Sequence, residues 1–238
     1  MTSIDDYDFV CSSGAELNSV VKKLLRPELA RGLGKSVSDL FPAFANAFPL
    51  TVQIMEKLWP SPVAAFRRPR TVWFSYLVAF RQDGNLFFNM NLAEQEIDGP
   101  LFEKYRNMLP EQWVENYRYF NSFVVSDRGL MPLTWIDTPF SSETRLPLEE
   151  YRQNFSLQKS KVRKFRDDVG SSQLTCWLLT SAGDALFLDE QRCDKKVYHV
   201  RHNDFENYFV IENPGVILDG YLAHCLEFQS PDGFDFRR

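Results

Sequence analysis

His199 and His202 stand three residues apart in KKVYHVRH, and the stretch from Gly183 to Ile211 around them also holds Asp184, Asp189, Glu190, Cys193 and Asp194. Imidazoles beside carboxylates are the material of a metal site, or of a general base with its orienting acid. The β-branched and aromatic neighbours make this segment a strand. Strand side chains alternate, so the two histidines point to opposite faces and do not share a metal. His224 precedes Cys225, the residue types of a base and a nucleophile, yet adjacent positions on a helix face different ways. Near the C-terminus SPDGFD offers carboxylates of the kind a metal nuclease uses, but Pro-Asp-Gly reads better as a turn. KSKVRKFR, Lys159 to Arg166, carries five basic residues with Phe165 as its single aromatic, a poor match to a groove that stacks bases. No GxSxG elbow, HExxH helix, Walker loop or dinucleotide fingerprint occurs. A hydrolase built on His224 or on the histidine-bearing strand is the enzymatic alternative; no metal or cofactor is expected.

The elements that would position these residues follow from periodicity. SGAE, Ser13 to Glu16, has capping-box spacing, and Leu17, Val20, Val21, Leu24 and Leu25 recur at helical spacing until Pro27 stops them. SVSDLFPAFANAF predicts a second helix with Pro42 in its first turn. PLTVQIMEKLW predicts a third, begun at Pro49 and ended before Pro60. The period then changes: TVWFSYLVAF and LFFNMNL are β-rich, and RQDGN joins them as a hairpin through Asp83-Gly84.

After Gly99, LFEKYRNMLPEQWVENYRYFNSF reads as one helix or two, with Pro110 the natural first residue of the second and Trp113, Tyr117 and Phe120 on one face. PLTWID is a short strand and LPLEEYRQNF a short helix. SLQKSKVRKFRDDVGSS is polar and poorly periodic, so it is expected to be a mobile connection. QLTCWLLT, ALFLDE, KKVYHVRH and NYFVIE are four strands whose short turns imply antiparallel pairing. The last helix starts at NPG, with Asn213 as cap and Pro214 in the first position. Ile217, Leu218, Tyr221, Leu222, Cys225 and Leu226 give it an apolar stripe suited to lying across the sheet. The aromatic tail FQSPDGFDFRR either packs back or frames a contact.

The sum is an α+β protein: an antiparallel β-meander sheet covered by helices, preceded by a mostly helical N-terminal part with a β-hairpin. Residues 1–95 form that N-terminal region, separate or part of the same fold, and 96–238 the α+β domain.

Composition bounds the function. The chain has 238 residues, 44% hydrophobic and 25% charged, which suits one large domain or two small ones and excludes a disordered chain. Its 21 phenylalanines fill a core or anchor an interface. A formal charge of −5 argues against a nucleic-acid binder, which needs a basic face, and favours encounter with a basic partner. Cys11, Cys176, Cys193 and Cys225 are too dispersed for a zinc site or a disulfide framework. The acidic start MTSIDDYDFV lacks the features of a secretory signal, and runs such as VWFSYLVAF are about half the length that spans a bilayer. A cytoplasmic protein without membrane contact is expected.

The order of features in the second half then takes on a pattern. A helix with LPEQWVENYRYFN, the tryptophan strand PLTWID, and GDALFLDE followed by KKVYHVRHNDFENYFVIENPGVILDGYLAHCLE together resemble the SUKH superfamily, the Smi/Knr-type domains. The features fall on Leu109, Pro110, Trp113, Tyr117, Asn121, Gly183, Asp184, Asp189, Val197 and Tyr198, between about Gly99 and Glu227. After Asn121 the chain reads SFVVSDRG, where the family carries paired glycines.

The resemblance implies a SUKH-like fold and a non-enzymatic binder. Bacterial members are commonly immunity proteins that neutralise a cognate contact-delivered or type VI-secreted toxin, often a nuclease; eukaryotic members are regulatory scaffolds. The partner implied here is a basic toxin or effector, occluded at its active site or substrate path. Candidate partner-binding residues are Asp189, Glu190 and Asp194 on the loop between two meander strands, and Lys161, Arg163 and Lys164 on the polar segment. An aromatic-rich chain with open sheet edges could also pair with a second copy of itself as a homodimer.

Overall fold

The structure, a computed structural model, describes residues 7–19, 21–59, 63–68, 74–80, 86–92, 103, 106–114, 120–127, 130–136, 146–180, 183–228 and 233–237. The turn expected at Asp83-Gly84, the Tyr117 position and residues 230–232 of the turn expected in SPDGFD lie outside them.

Among the described residues the strands form one antiparallel sheet. They are β1 (Phe9–Cys11), β2 (Val63–Arg67), β3 (Phe74–Phe80), β4 (Leu86–Leu92), β5 (Phe120–Asp127), β6 (Leu130–Ile136), β7 (Leu146–Pro147), β8 (Leu174–Leu179), β9 (Ala185–Asp189), β10 (Val197–Arg201) and β11 (Asp204–Ile211). Neighbours follow chain order from β1 to β6 and then from β8 to β11, while two-residue β7 also pairs with β8. The expected hairpin is β3 against β4, and the expected meander is β8 to β11.

Alternation along β9 shows why this part of the sequence folds as it does. Ala185 and Phe187 enter one apolar cluster, Leu186 and Leu188 the other, so an unbroken apolar run is buried on both faces. The register shifts between Cys176 and Leu178. That bulge lets Trp177 and Leu178 enter the same cluster, where Trp177 stacks on Trp113 with ring centroids 3.8 Å apart.

Helices cover each face. On one lie α1 (Pro27–Gly32), α2 (Val37–Leu40), α3 (Pro42–Ala47), α4 (Pro49–Leu58), the helical residues around Trp113, and the final helix α7 (Pro214–Phe228). All six residues of the predicted terminal stripe are buried there. The tail packs back: Phe236 stacks on His199 at 4.5 Å and lies 4.9 Å from Tyr221. On the other face lie α5 (Leu148–Asn154) and α6 (Lys159–Val169).

Five sequence expectations are corrected. The first helix begins where it was expected to stop. Among the described residues of 17–25 none is α-helical and Val21–Leu24 form a short 3-10 turn, and Pro27 takes the first position of α1, where its missing N–H costs nothing. Glu16 does reach back, but to the Ser12 N–H at 2.6 Å, one residue earlier than a Ser13 cap. The second helix is split at Phe41, with Ser36 capping α2 through the Asp39 N–H and Pro42 opening α3. Phe120 lies in β5 instead of sharing a helix face with Trp113. The polar "connection" is α6, eleven residues closed by Gly170 at φ 72°.

The β8–β9 turn is locked from α5. The Tyr151 hydroxyl donates to the Gly183 carbonyl, and Gly183 takes φ +86°, where a Cβ would strike Phe155 and His202. Burial pushes the Tyr151 hydroxyl well above its usual range, so it remains a donor. Tyr151→Phe leaves that carbonyl unpaired in the interior and is expected to cost about 1–2 kcal/mol in a denaturant titration.

Candidate functional site

Helix α6 holds the basic run. Val162, Phe165 and Val169 recur at i, i+3 and i+7 and are buried. Phe165 fills a ring cage, 4.8 Å from Tyr208, 5.7 Å from Phe205 and 5.8 Å from Phe187. Anchoring one face fixes the other, so Arg163 and Lys164 stand in solvent with Lys161 at the margin. These three candidates are therefore presented on a rigid element, contrary to the expected mobile segment.

The acidic candidates divide. Asp189, 2% exposed, lies at the end of β9 and is buried, contrary to its expected place on a surface loop. Its Oδ1 accepts from the Ser171 hydroxyl at 2.7 Å and from the N–H groups of Gln191 (2.9 Å) and Arg192 (3.2 Å). Arg192 in turn donates to the Gly170 carbonyl at 3.0 Å, tying the end of α6 to the β9–β10 turn. Glu190, 5% exposed, is likewise buried, and accepts from the Thr175 hydroxyl at 2.7 Å. Asp189 satisfies the turn's own N–H groups, which is why it faces inward, while Glu190 is held by the hydroxyl across on β8. Asp194 is exposed as expected, with the Lys196 ammonium 3.5 Å away.

The site that emerges is a groove of about 950 Å³ between α5, the first two turns of α6 and the start of β8. Of the six candidates it joins Arg163 and Glu190; Lys161, Lys164, Asp189 and Asp194 do not line it. It adds Lys159 and Arg166, which the sequence reading missed. Their signal was the spacing of Lys159, Arg163 and Arg166 at i, i+4 and i+7, meaningful only once the segment is a helix.

The histidines do not converge. His199 is 3% exposed in β10, with rings of Phe209 and Phe236 at 4.8 and 4.5 Å, and its Nε2 has no hydrogen-bond partner among the described residues. Desolvation lowers its pKa to about 4, so the ring is neutral. His202 lies in the turn after β10, where Asp184 Oδ1 is 3.2 Å from both its backbone N and its Nδ1. The carboxylate orients the imidazole as in a base–acid pair, yet the same oxygen closes the turn. His224 is half-buried beside the Phe234 ring at 5.6 Å, while Cys225 is buried. Burial pushes the Cys11 thiol up to about 11 and raises Cys176 as well, so neither is a thiolate near neutrality. Among the described residues no three His, Cys, Asp or Glu side chains cluster as metal ligands, all four cysteines are unbridged, and no helix is long and apolar enough to cross a membrane. No protein-family profile, no curated protein and no solved structure matches this chain.

Proposed function

We propose that the chain is an immunity protein of the SUKH type, which binds a cognate toxin, basic and of nuclease class, and blocks its active site or substrate path from a position in the cytoplasm. The observation that supports this most is how the residues of the resemblance are used. Trp113 donates through Nε1 to the Pro214 carbonyl at 3.0 Å, Asp184 closes the β10–β11 turn, Asp189 builds the β9–β10 turn, and Tyr198 packs in the core. Each holds the scaffold. Of the six candidate charges, those that reach solvent lie on α6 and, at Asp194, on the β9–β10 turn. A neutralising protein requires such a shaped, charged exterior and no reagent.

Co-expression tests the reading. The gene adjacent to this one is expected to encode the toxin, and this protein is expected to restore growth to cells expressing it and to co-purify with its product. Failure of both rescue and co-purification would end the immunity reading. The variant carrying His202→Ala and His224→Ala is expected to rescue as well as wild type. Loss of rescue by a folded variant would instead favour a hydrolase.

A further inference from the structure

The groove beside α6 has a polarity opposite to that of the whole molecule. The chain carries −5, yet Lys159, Arg163 and Arg166 stand along one wall of the groove. The two carboxylates that also line it are already engaged. Glu149 takes the Arg152 guanidinium at 2.6 Å, which holds its carboxyl below the usual range, and Glu190 is buried on Thr175. Among the described residues Asp167 lies 3.5 Å from both Arg163 and Arg166, and Lys159, which with Arg166 also acts on the Glu149 carboxylate from a distance, makes no ion pair. Ser172 and Gln173, just before β8, add polar groups to its lining.

Charge selects the occupant, and the spacing admits an extended one. A helix rises about 1.5 Å per residue, so Lys159, Arg163 and Arg166 follow one another at steps of about 6 and 4.5 Å. Side chains on one side of an extended chain recur at about 6.6–6.8 Å, close to the first step and about 2 Å longer than the second, a difference that the long arginine stems take up. We propose that this groove binds an acidic segment of a partner protein, in extended form, with carboxylates at alternate positions against these three cations. The proposal rests on reading the chain as a partner-binding protein, and it places an acidic stretch on a partner that is basic elsewhere. A nucleic acid fits less well: its continuous negative charge meets a net acidic protein, and the cationic wall spans only two helical turns.

The test uses the full-length protein and a labelled peptide of about eight residues alternating Glu and Ser, followed by fluorescence anisotropy at low and moderate salt. Wild type is expected to bind the peptide, more weakly as salt rises. Lys159→Glu with Arg163→Glu is expected to weaken binding about tenfold. Lys22→Glu with Lys23→Glu, the same charge change on exposed lysines of another region, is expected to change it less than about twofold. No binding by wild type, equal loss in both double variants, or tighter binding of an oligothymidylate strand would each overturn the proposal. Should circular dichroism show the reversed variant unfolded, Lys159→Gln with Arg163→Gln replaces it, with about fivefold weakening expected. Rescue of growth with a groove indifferent to the peptide defeats this inference alone; a groove that binds without rescue defeats the immunity reading alone.

Discussion

Asp219→Ala is expected to destabilise the protein by about 4 kcal/mol, well above the cost of Tyr151→Phe. Helix α4 opens with Pro49, which has no N–H, and Phe48 supplies no side-chain cap. The next two N–H groups would be orphans. They are taken from another part of the chain: Asp219, on α7 and 3% exposed, accepts from Leu50 N at 2.9 Å and Thr51 N at 2.8 Å. The Thr51 hydroxyl donates to the same carboxylate at 2.7 Å. Three charge-assisted bonds at a helix N-terminus, where the helix dipole also favours an anion, each contribute about 1.5–3 kcal/mol when buried. Truncation strands the N–H of the fully buried Thr51, whose hydroxyl keeps the backbone carbonyl of residue 219 at 3.1 Å, and loosens the packing of α4 on α7. The midpoint of thermal unfolding should fall by roughly 10 °C. Asp219→Asn keeps an acceptor oxygen and is expected to cost less than half as much. Equal costs for the two variants, or a cost below about 1 kcal/mol for Ala, would show that the carboxylate is not the keystone of this contact.

His199 is expected to make stability fall as the solution turns mildly acidic. Its folded pKa, about 4, lies below the 6.5 of an exposed imidazole, chiefly through desolvation, with Asp184 and Asp235 opposing and Arg201 and Arg237 reinforcing the shift. Above pH 6.5 both folded and unfolded chains hold it neutral, so it adds no pH dependence. As pH drops below 6.5 the unfolded chain takes up a proton that the folded chain refuses, and stability declines until pH 4, where the loss levels off at roughly 3 kcal/mol. At pH 5 the loss is about 2 kcal/mol. His199→Phe keeps a ring between Phe209 and Phe236 and removes the titration. Urea titrations from pH 7 to pH 5 are expected to show the variant losing about 2 kcal/mol less than wild type. Parallel pH profiles would show that His199 is solvated or paired in solution.

What the sequence revealed depended on how many residues carried each signal. The meander was legible because its strands are short runs of apolar, β-branched and aromatic residues and the turns between them are short. The terminal helix was legible because six residues mark its stripe. Helix α6 was not, because Val162, Phe165 and Val169 alone carry its period among eight polar positions, and the Gly-Ser-Ser that follows imitates a linker. The region around Leu17–Leu25 failed in the opposite way. Its apolar spacing suits a helix, yet Val21–Leu24 form only a 3-10 turn while Leu25, with Leu17 and Leu24, packs into the core, so tertiary packing overrides local preference. Burial of Asp189 and Glu190 and the capping of α4 by Asp219 were hidden for a further reason. The donors that satisfy Asp219 are 168 and 169 residues distant, and no local pattern reports such a pairing. The candidate groove shares this limit, since its walls come from separate elements and only Lys159, Arg163 and Arg166 form a pattern within one.

The measurement that bears most directly on the proposed role is inhibition with purified components. The product of the adjacent gene is assayed for its toxic activity, with nucleic-acid cleavage as the first readout, while this protein is added in increasing amounts. A stoichiometric complex that abolishes the activity near equimolar ratio is the predicted result. Undiminished activity in the presence of excess folded protein, with no complex on size exclusion, would contradict it.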